Sequence, residues 1–303
     1  MEFYLKNKFV GSIQNILFMI GFAFICFFLF QNKAQIAEVS TLTYVGLLVN
    51  YFLFYIFLSL GQRLLFANKI TATVLLDVNI LSNFLNLILP FKSGVLYKAT
   101  VLKRNFGVGY KDFTIKMFSL SLISLFVVLF FLVSLLLFWN HLGHENQLIT
   151  DYFVLVIAGF VALLSIIFYL MVKKMKDLNL STFIRISLFY SLSAFTYMAK
   201  FMIYMQAFNI SISLYEISLI TFFVLASGFI SLLPGNIGLR EFSLVTILAL
   251  FNVNTELAIV IAFLDRVVQI LFLGGFSVVS LSIKKYKKET SLFSIQDINE
   301  VIK

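Results

Sequence analysis

Leu233-Pro234-Gly235-Asn236-Ile237-Gly238-Leu239-Arg240-Glu241 breaks an otherwise apolar stretch that runs from 217 to 252. Proline lacks a backbone N–H and clashes with the preceding turn, so a helix entering this segment must stop there. A second helix can then start, with Arg240 in its first turn. Working back along the chain, Leu89-Pro90-Phe91-Lys92-Ser93-Gly94 breaks another apolar stretch, 71–107, with the same Leu-Pro-x-x-x-Gly spacing. Pro90 and Pro234 are the only two prolines among 303 residues, and they lie 144 positions apart.

Around these two breaks the chain is made for lipid. Hydrophobic residues are 61% of the sequence and charged residues 12%, outside the range of soluble domains. Thirty-eight Phe would be hard to hide in one water-soluble core, whereas rings facing acyl chains need no hiding. Apolar windows long enough to cross a bilayer run over 11–30, 41–60, 113–138, 152–172, 186–208 and 256–282. The first of these is longer than a secretory signal core and has no cleavage pattern, so it reads as a retained span. Cys26, the single cysteine, can form no intramolecular disulfide.

Charge assigns the sides, because cytoplasmic loops carry the Lys/Arg excess. Segments 1–10, 61–70, 91–112, 173–185 and 283–303 hold most of the 23 Lys and Arg, while loops 31–40, 139–151, 209–216 and 253–255 hold only Lys33. This places both termini in the cytoplasm and the protein in the cytoplasmic (inner) membrane. A simple crossing by 71–90 would put the basic 92–111 segment outside and invert every later loop. A re-entrant hairpin that enters and leaves on the cytoplasmic side keeps the pattern; by the same parity 217–252 begins and ends outside, as a hairpin or two short spans.

A shift of about 144 residues also carries the first span onto the fourth and the span starting at 113 onto the one at 256. Each half is then two spans, a hairpin and one span. Three crossings are odd, so the second copy lies upside down. The expectation is an all-α polytopic membrane protein of about six full spans plus two proline-broken re-entrant hairpins, arranged as an inverted repeat. Residues 1–283 form one transmembrane domain, with pseudo-repeats 1–138 and 152–283, and 284–303 form a short basic tail. Broken helices in inverted repeats build the mid-membrane sites of secondary transporters.

The residues expected to bind a guest follow from the breaks. Pro234, Gly235, Asn236 and Gly238 end one arm and start the next near mid-membrane, where free amide N–H groups suit an anion. Arg240, in the first helical turn, opposes the helix dipole and calls for a negative neighbour. That neighbour is either Glu241 or Asp265, locking the hairpin, or a lipid phosphate. Pro90, Gly94 and Lys98 form the matching set in the first hairpin, with Lys98 a second cation for the same anion. Asp265, Arg266 and Gln269 share a face of the last span. Asp77, Asn79, Asn83 and Asn86 read as interhelical hydrogen-bonding groups, and Lys200 requires a carboxylate or a wet cavity. His141, His144 and Glu145 lack a second ligand set, so no metal is expected, and neither a cofactor nor a nucleic-acid partner is indicated.

The Pro234–Glu241 segment resembles the Pro-Gly-Gly-x-Gly-x-Arg-Glu motif of the flippase-like transmembrane domain of lysylphosphatidylglycerol synthases and their stand-alone relatives, with Asn236 replacing the second glycine. Arg266 looks like that family's late arginine. In the family's earlier Pro-x-x-x-Gly-Glu-x-x-Arg pattern Pro90 and Gly94 match, whereas Val95 replaces the glutamate and Lys98 the arginine. The resemblance implies movement of an anionic or aminoacylated phospholipid, or a role with a lipid-linked precursor of envelope glycolipid or polysaccharide. The family's synthases carry a large soluble C-terminal domain; only about 20 residues follow the last span here, so lipid lysinylation is not expected.

Two other readings use different residues. A polyprenyl-phosphate-dependent glycosyltransferase needs outer-loop acids, and only Glu38, Glu145 and Asp151 are offered. A non-catalytic partner of an envelope-biosynthesis enzyme would dock through the basic loops at 173–185 and 284–288. No nucleophile elbow, phosphate loop or zinc-protease motif occurs, which argues against an enzyme.

Overall fold

The computed structural model describes residues 31, 36, 39–66, 69–88, 93–141, 155, 158–166, 169, 179–229 and 238–286. Eight helices carry most of them: α1 (Thr41–Leu65), α2 (Ala72–Ile88), α3 (Ser93–Phe106), α4 (Tyr110–His141), α5 (Leu180–Ala207), α6 (Leu214–Ser227), α7 (Leu239–Leu250) and α8 (Thr255–Tyr286). Residues 158–166 are helical as well, and no strand occurs among the described residues. Pro90, Pro234, Gly235, Asn236, Cys26, His144, Glu145, the expected span 11–30 and part of 152–172 lie outside this set.

Four helices are long and apolar enough to cross a membrane: Thr41–Leu65, Tyr110–Phe138, Leu180–Ala207 and Thr255–Ser282. They match the windows expected at 41–60, 113–138, 186–208 and 256–282. The remaining four come in two consecutive pairs. Helices α2 and α3 have 17 and 14 residues, and α6 and α7 have 14 and 12. At about 1.5 Å per residue the longest reaches roughly 25 Å, short of a hydrocarbon core of about 30 Å. Each pair folds back on itself, as Val78, Leu81 and Leu85 of α2 meeting Tyr97 and Val101 of α3 show for the first.

Local chemistry starts these helices where the apolar runs begin. The Ser40 hydroxyl accepts the Thr43 N–H at 3.2 Å and Asn179 Oδ1 accepts that of Thr182 at 2.8 Å, capping the long α1 and α5. At α6 a capping box operates: Glu216 Oε2 accepts the Ser213 N–H at 2.7 Å while the Ser213 hydroxyl accepts the Glu216 N–H.

The two halves correspond helix by helix. Helices α1 to α4 map onto α5 to α8 in order, and every helix pair in extensive contact has its mate: α1–α2 with α5–α6, α2–α3 with α6–α7, α2–α8 with α6–α4, α3–α4 with α7–α8, and α4–α5 with α8–α1. The pair left over is α1–α5, which pack on each other most extensively. They run antiparallel, since Gly46 lies beside Ile203 and Gly61 beside Tyr190. A twofold axis between two equivalent antiparallel helices is what an upside-down second copy requires.

Gly94 clasps the first hairpin. Its carbonyl accepts the Ser82 hydroxyl at 2.7 Å and its N–H donates to Asn86 Oδ1 at 2.9 Å. A Cβ there would sit 1.7 Å from the Ser82 carbonyl oxygen, so only glycine permits this approach. Among the asparagines expected to tie α2 outward, Asn79 and Asn86 do so, and Asn83 donates to the Asn79 carbonyl one turn back in its own helix.

Candidate functional site

Asp265 lies ten residues into α8, about 15 Å from that helix's start at Thr255 and well inside the apolar span Thr255–Ser282. It is 2% exposed. A carboxylate buried this way must be saturated with donors, and it is. Oδ1 accepts the Tyr51 hydroxyl at 2.7 Å and the Tyr204 hydroxyl at 3.2 Å, and faces Lys200 Nζ at 3.0 Å. Oδ2 accepts from Lys200 Nζ at 3.1 Å and from Arg240. Four helices therefore converge on one side chain: α1 through Tyr51, α5 through Lys200 and Tyr204, α7 through Arg240, and α8 itself.

Aromatic faces complete the setting of the two cations. Lys200 Nζ lies 3.5 Å from the centre of the Tyr197 ring, and the Arg240 guanidinium carbon 5.4 Å from the same ring. Such contacts strengthen when water is excluded.

A second ion pair adjoins the first. Arg266 Nε donates to Glu241 Oε1 at 2.5 Å. Gln269 Oε1 accepts from both guanidinium groups, at 2.9 Å from Arg240 and 3.2 Å from Arg266, and so ties the pairs together. Glu241 Oε2 accepts the Gly238 N–H at 2.8 Å. Gly238 has φ +88°, a conformation that favours glycine, and turns the chain into α7. Of the amides expected to be offered to a guest around the start of α7, that of Gly238 is thus taken by the protein's own Glu241. Arg240 and Glu241 are the least buried members of the cluster: their side chains are 12% and 11% exposed, against 1% for Lys200, 3% for Asp265 and 2% for Arg266.

Lys98 does not join this group. Its ammonium donates to Gln62 Oε1 and Asn79 Oδ1, each at 2.6 Å, and Asn79 in turn donates to the Ser59 hydroxyl at 2.9 Å. Tyr51 and Gln62, the α1 members of the two centres, are eleven residues apart, about 16 Å along the helix. The scaffold repeats, but its polar content does not.

The sequence named Arg240, Glu241, Asp265, Arg266 and Gln269, which the structure brings together, and required a carboxylate or a wet cavity for Lys200; Asp265 is that carboxylate. It missed Tyr51, Tyr197 and Tyr204. A signal existed: Tyr190, Tyr197 and Tyr204 recur every seven residues on one face of α5, and a buried phenol needs a hydrogen-bond partner.

The fold and this centre define a class: a polytopic helical membrane protein built as an inverted repeat, with two half-length hairpins and a buried ion cluster at the end of one of them. The chain belongs to the family of the lysylphosphatidylglycerol synthase TM region, whose model matches residues 13–276. No curated protein and no solved structure matches it.

Proposed function

We propose that the chain is a flippase-like translocase that carries an anionic phospholipid, an aminoacylated phospholipid or a lipid-linked envelope precursor across the membrane, with Arg240 as the contact for its phosphate. The supporting observation is charge. Lys200, Arg240 and Arg266 face Asp265 and Glu241, three cations to two carboxylates, in one buried cluster. An excess positive charge in a low-dielectric setting is costly, and a guest anion would relieve it. Asp265 is saturated, whereas Arg240 spends one N–H on Asp265 and one on Gln269, and a guanidinium carries five N–H donors in a fork that suits phosphate. In this conformation Lys98 is engaged with Gln62 and Asn79, so the headgroup contact rests on Arg240. Alternating access would come from one half rocking against the other about the antiparallel α1–α5 pair.

Membership of a lipid-related family agrees with this reading. Its test is the full chain in vesicles containing a fluorescent phosphatidylglycerol, with leaflet exposure followed by a membrane-impermeant quencher. Arg240→Ala is expected to slow exchange by about tenfold or more, the effect of losing roughly 1.4 kcal/mol of charge-assisted hydrogen bonding, with Arg240→Lys in between. Equal rates in wild type and Arg240→Ala would overturn the proposal.

A further inference from the structure

A cavity of about 170 Å³ lies among α1, α4, α5 and α6, at the inner end of the second hairpin's first arm. Its walls are mainly apolar, with Phe54, Leu58, Val128, Tyr190, Ala194 and Phe229 prominent. Phe229, on the cavity's rim just past the end of α6, is 39% exposed. An apolar cavity of about 150 Å³ stays dry and takes a hydrocarbon guest. In a bilayer the hydrocarbon at hand is an acyl chain.

The cavity is also coupled to the charged centre. Phe54, on its wall, packs against Tyr197 with ring centres 5.6 Å apart, and the far neighbours of Tyr197 are Lys200 and Arg240. One aromatic pair therefore separates the apolar slot from the ion cluster. Along α5 the order is Tyr190 and Ala194 at the slot, Tyr197 at the partition, and Lys200 and Tyr204 at the charge. This is the order of parts in an amphiphile.

Resting on the headgroup reading above, we infer that the cavity is an acyl-chain site, and that it holds one chain of the lipid whose phosphate contacts Arg240. Selection would then act on both ends of the guest: the cluster reads charge, and the slot requires an aliphatic chain. The partition between them makes a soluble phosphate or a free headgroup a poor substitute for the lipid.

Photolabelling tests this. The full chain is reconstituted in phosphatidylcholine vesicles containing phosphatidylglycerol with a diazirine within one acyl chain, and labelled positions are read by peptide mass spectrometry. Wild type is expected to label at Val128 and Ala194 above the level at Phe118 and Leu188, which are 55% and 57% exposed on the outer helix faces. Ala194→Leu and Ser124→Leu fill the slot from two different helices. Each should cut slot labelling by about tenfold, equivalent to excluding roughly two methylenes, and leave Phe118 and Leu188 unchanged.

Slot labelling no higher than at the outer faces in wild type overturns the inference whether or not the filled variants fold; so does slot labelling that a folded filled variant leaves intact. An unlabelled slot beside exchange that still depends on Arg240 removes the chain site alone. Fill-sensitive labelling beside exchange unaffected by Arg240→Ala removes the headgroup contact, and with it the pairing of the two ends.

Discussion

Asp265 is the residue on which the charged centre is organised, because it alone answers two cations and two phenols. Removing one member of a buried ion pair leaves the other uncompensated, at about 3–5 kcal/mol. Asp265→Ala strands both Lys200 and Arg240, whereas Lys200→Met leaves Asp265 still bound to Arg240, Tyr51 and Tyr204. The thermal midpoint of the detergent-solubilised protein should therefore fall further for Asp265→Ala than for Lys200→Met, and adding Lys200→Met to Asp265→Ala should recover part of the loss. The reverse order would mean that the ammonium, and not the carboxylate, holds the cluster. Asp265, Arg266 and Gln269 were legible in the sequence as a polar patch on a greasy span. Their pairing was not, since adjacent residues on one helix point to different neighbours.

Hairpins are the element that gives this fold its site, and each is closed by different chemistry. The first is clasped through Gly94; the second is entered through Gly238 and capped by Glu241, which also holds Arg266. Gly94→Ala drives a methyl into the Ser82 carbonyl and disrupts one buried and one part-buried hydrogen bond, a buried one being worth about 1–3 kcal/mol when its partners are left unsatisfied. Gly275→Ala, within α8 and with nothing within 4 Å of its Cβ, should instead be neutral or gain about 0.5–1 kcal/mol of helix propensity. Yield of monodisperse protein and its thermal midpoint check both; equal behaviour of the two variants would contradict the clasp. That one helix ends before Pro90 and another before Pro234 was readable from proline's missing N–H. That Lys98 would turn to Gln62 and Asn79 was not, because Gln62 comes from α1, thirty-six residues upstream.

At the scale of the whole molecule the repeat predicts sidedness. Both ends of a re-entrant hairpin return to one face, so Lys69 and Gly107, flanking α2–α3, belong on one side, and Asn209 and Asn252, flanking α6–α7, on the other. All four are exposed. In a Cys26→Ala background, single cysteines at 69 and 107 should react with a membrane-impermeant maleimide only from the cytoplasm, and those at 209 and 252 only from outside. Positions 69 and 107 labelling from opposite sides would turn the first hairpin into a crossing and invert the charge argument for every later loop.

Sequence by itself determined what lipid and covalent chemistry dictate locally: apolar runs of spanning length, the breaks within two of them, and a 144-residue offset that repeats the order of elements; its Lys/Arg bias gives the sidedness that the maleimide labelling tests. Those signals need no knowledge of neighbours. Tertiary structure decided the rest: which cation meets which carboxylate, that Glu241 occupies the start of α7, that Lys98 and Arg240 sit in separate centres, and that an apolar cavity adjoins the charged one across Phe54 and Tyr197. Pairing of buried charges depends on how α1, α5, α7 and α8 rotate and settle against one another. The apolar residues that set this packing leave many registers open to a reader of the chain, and only one of them brings four helices to Asp265.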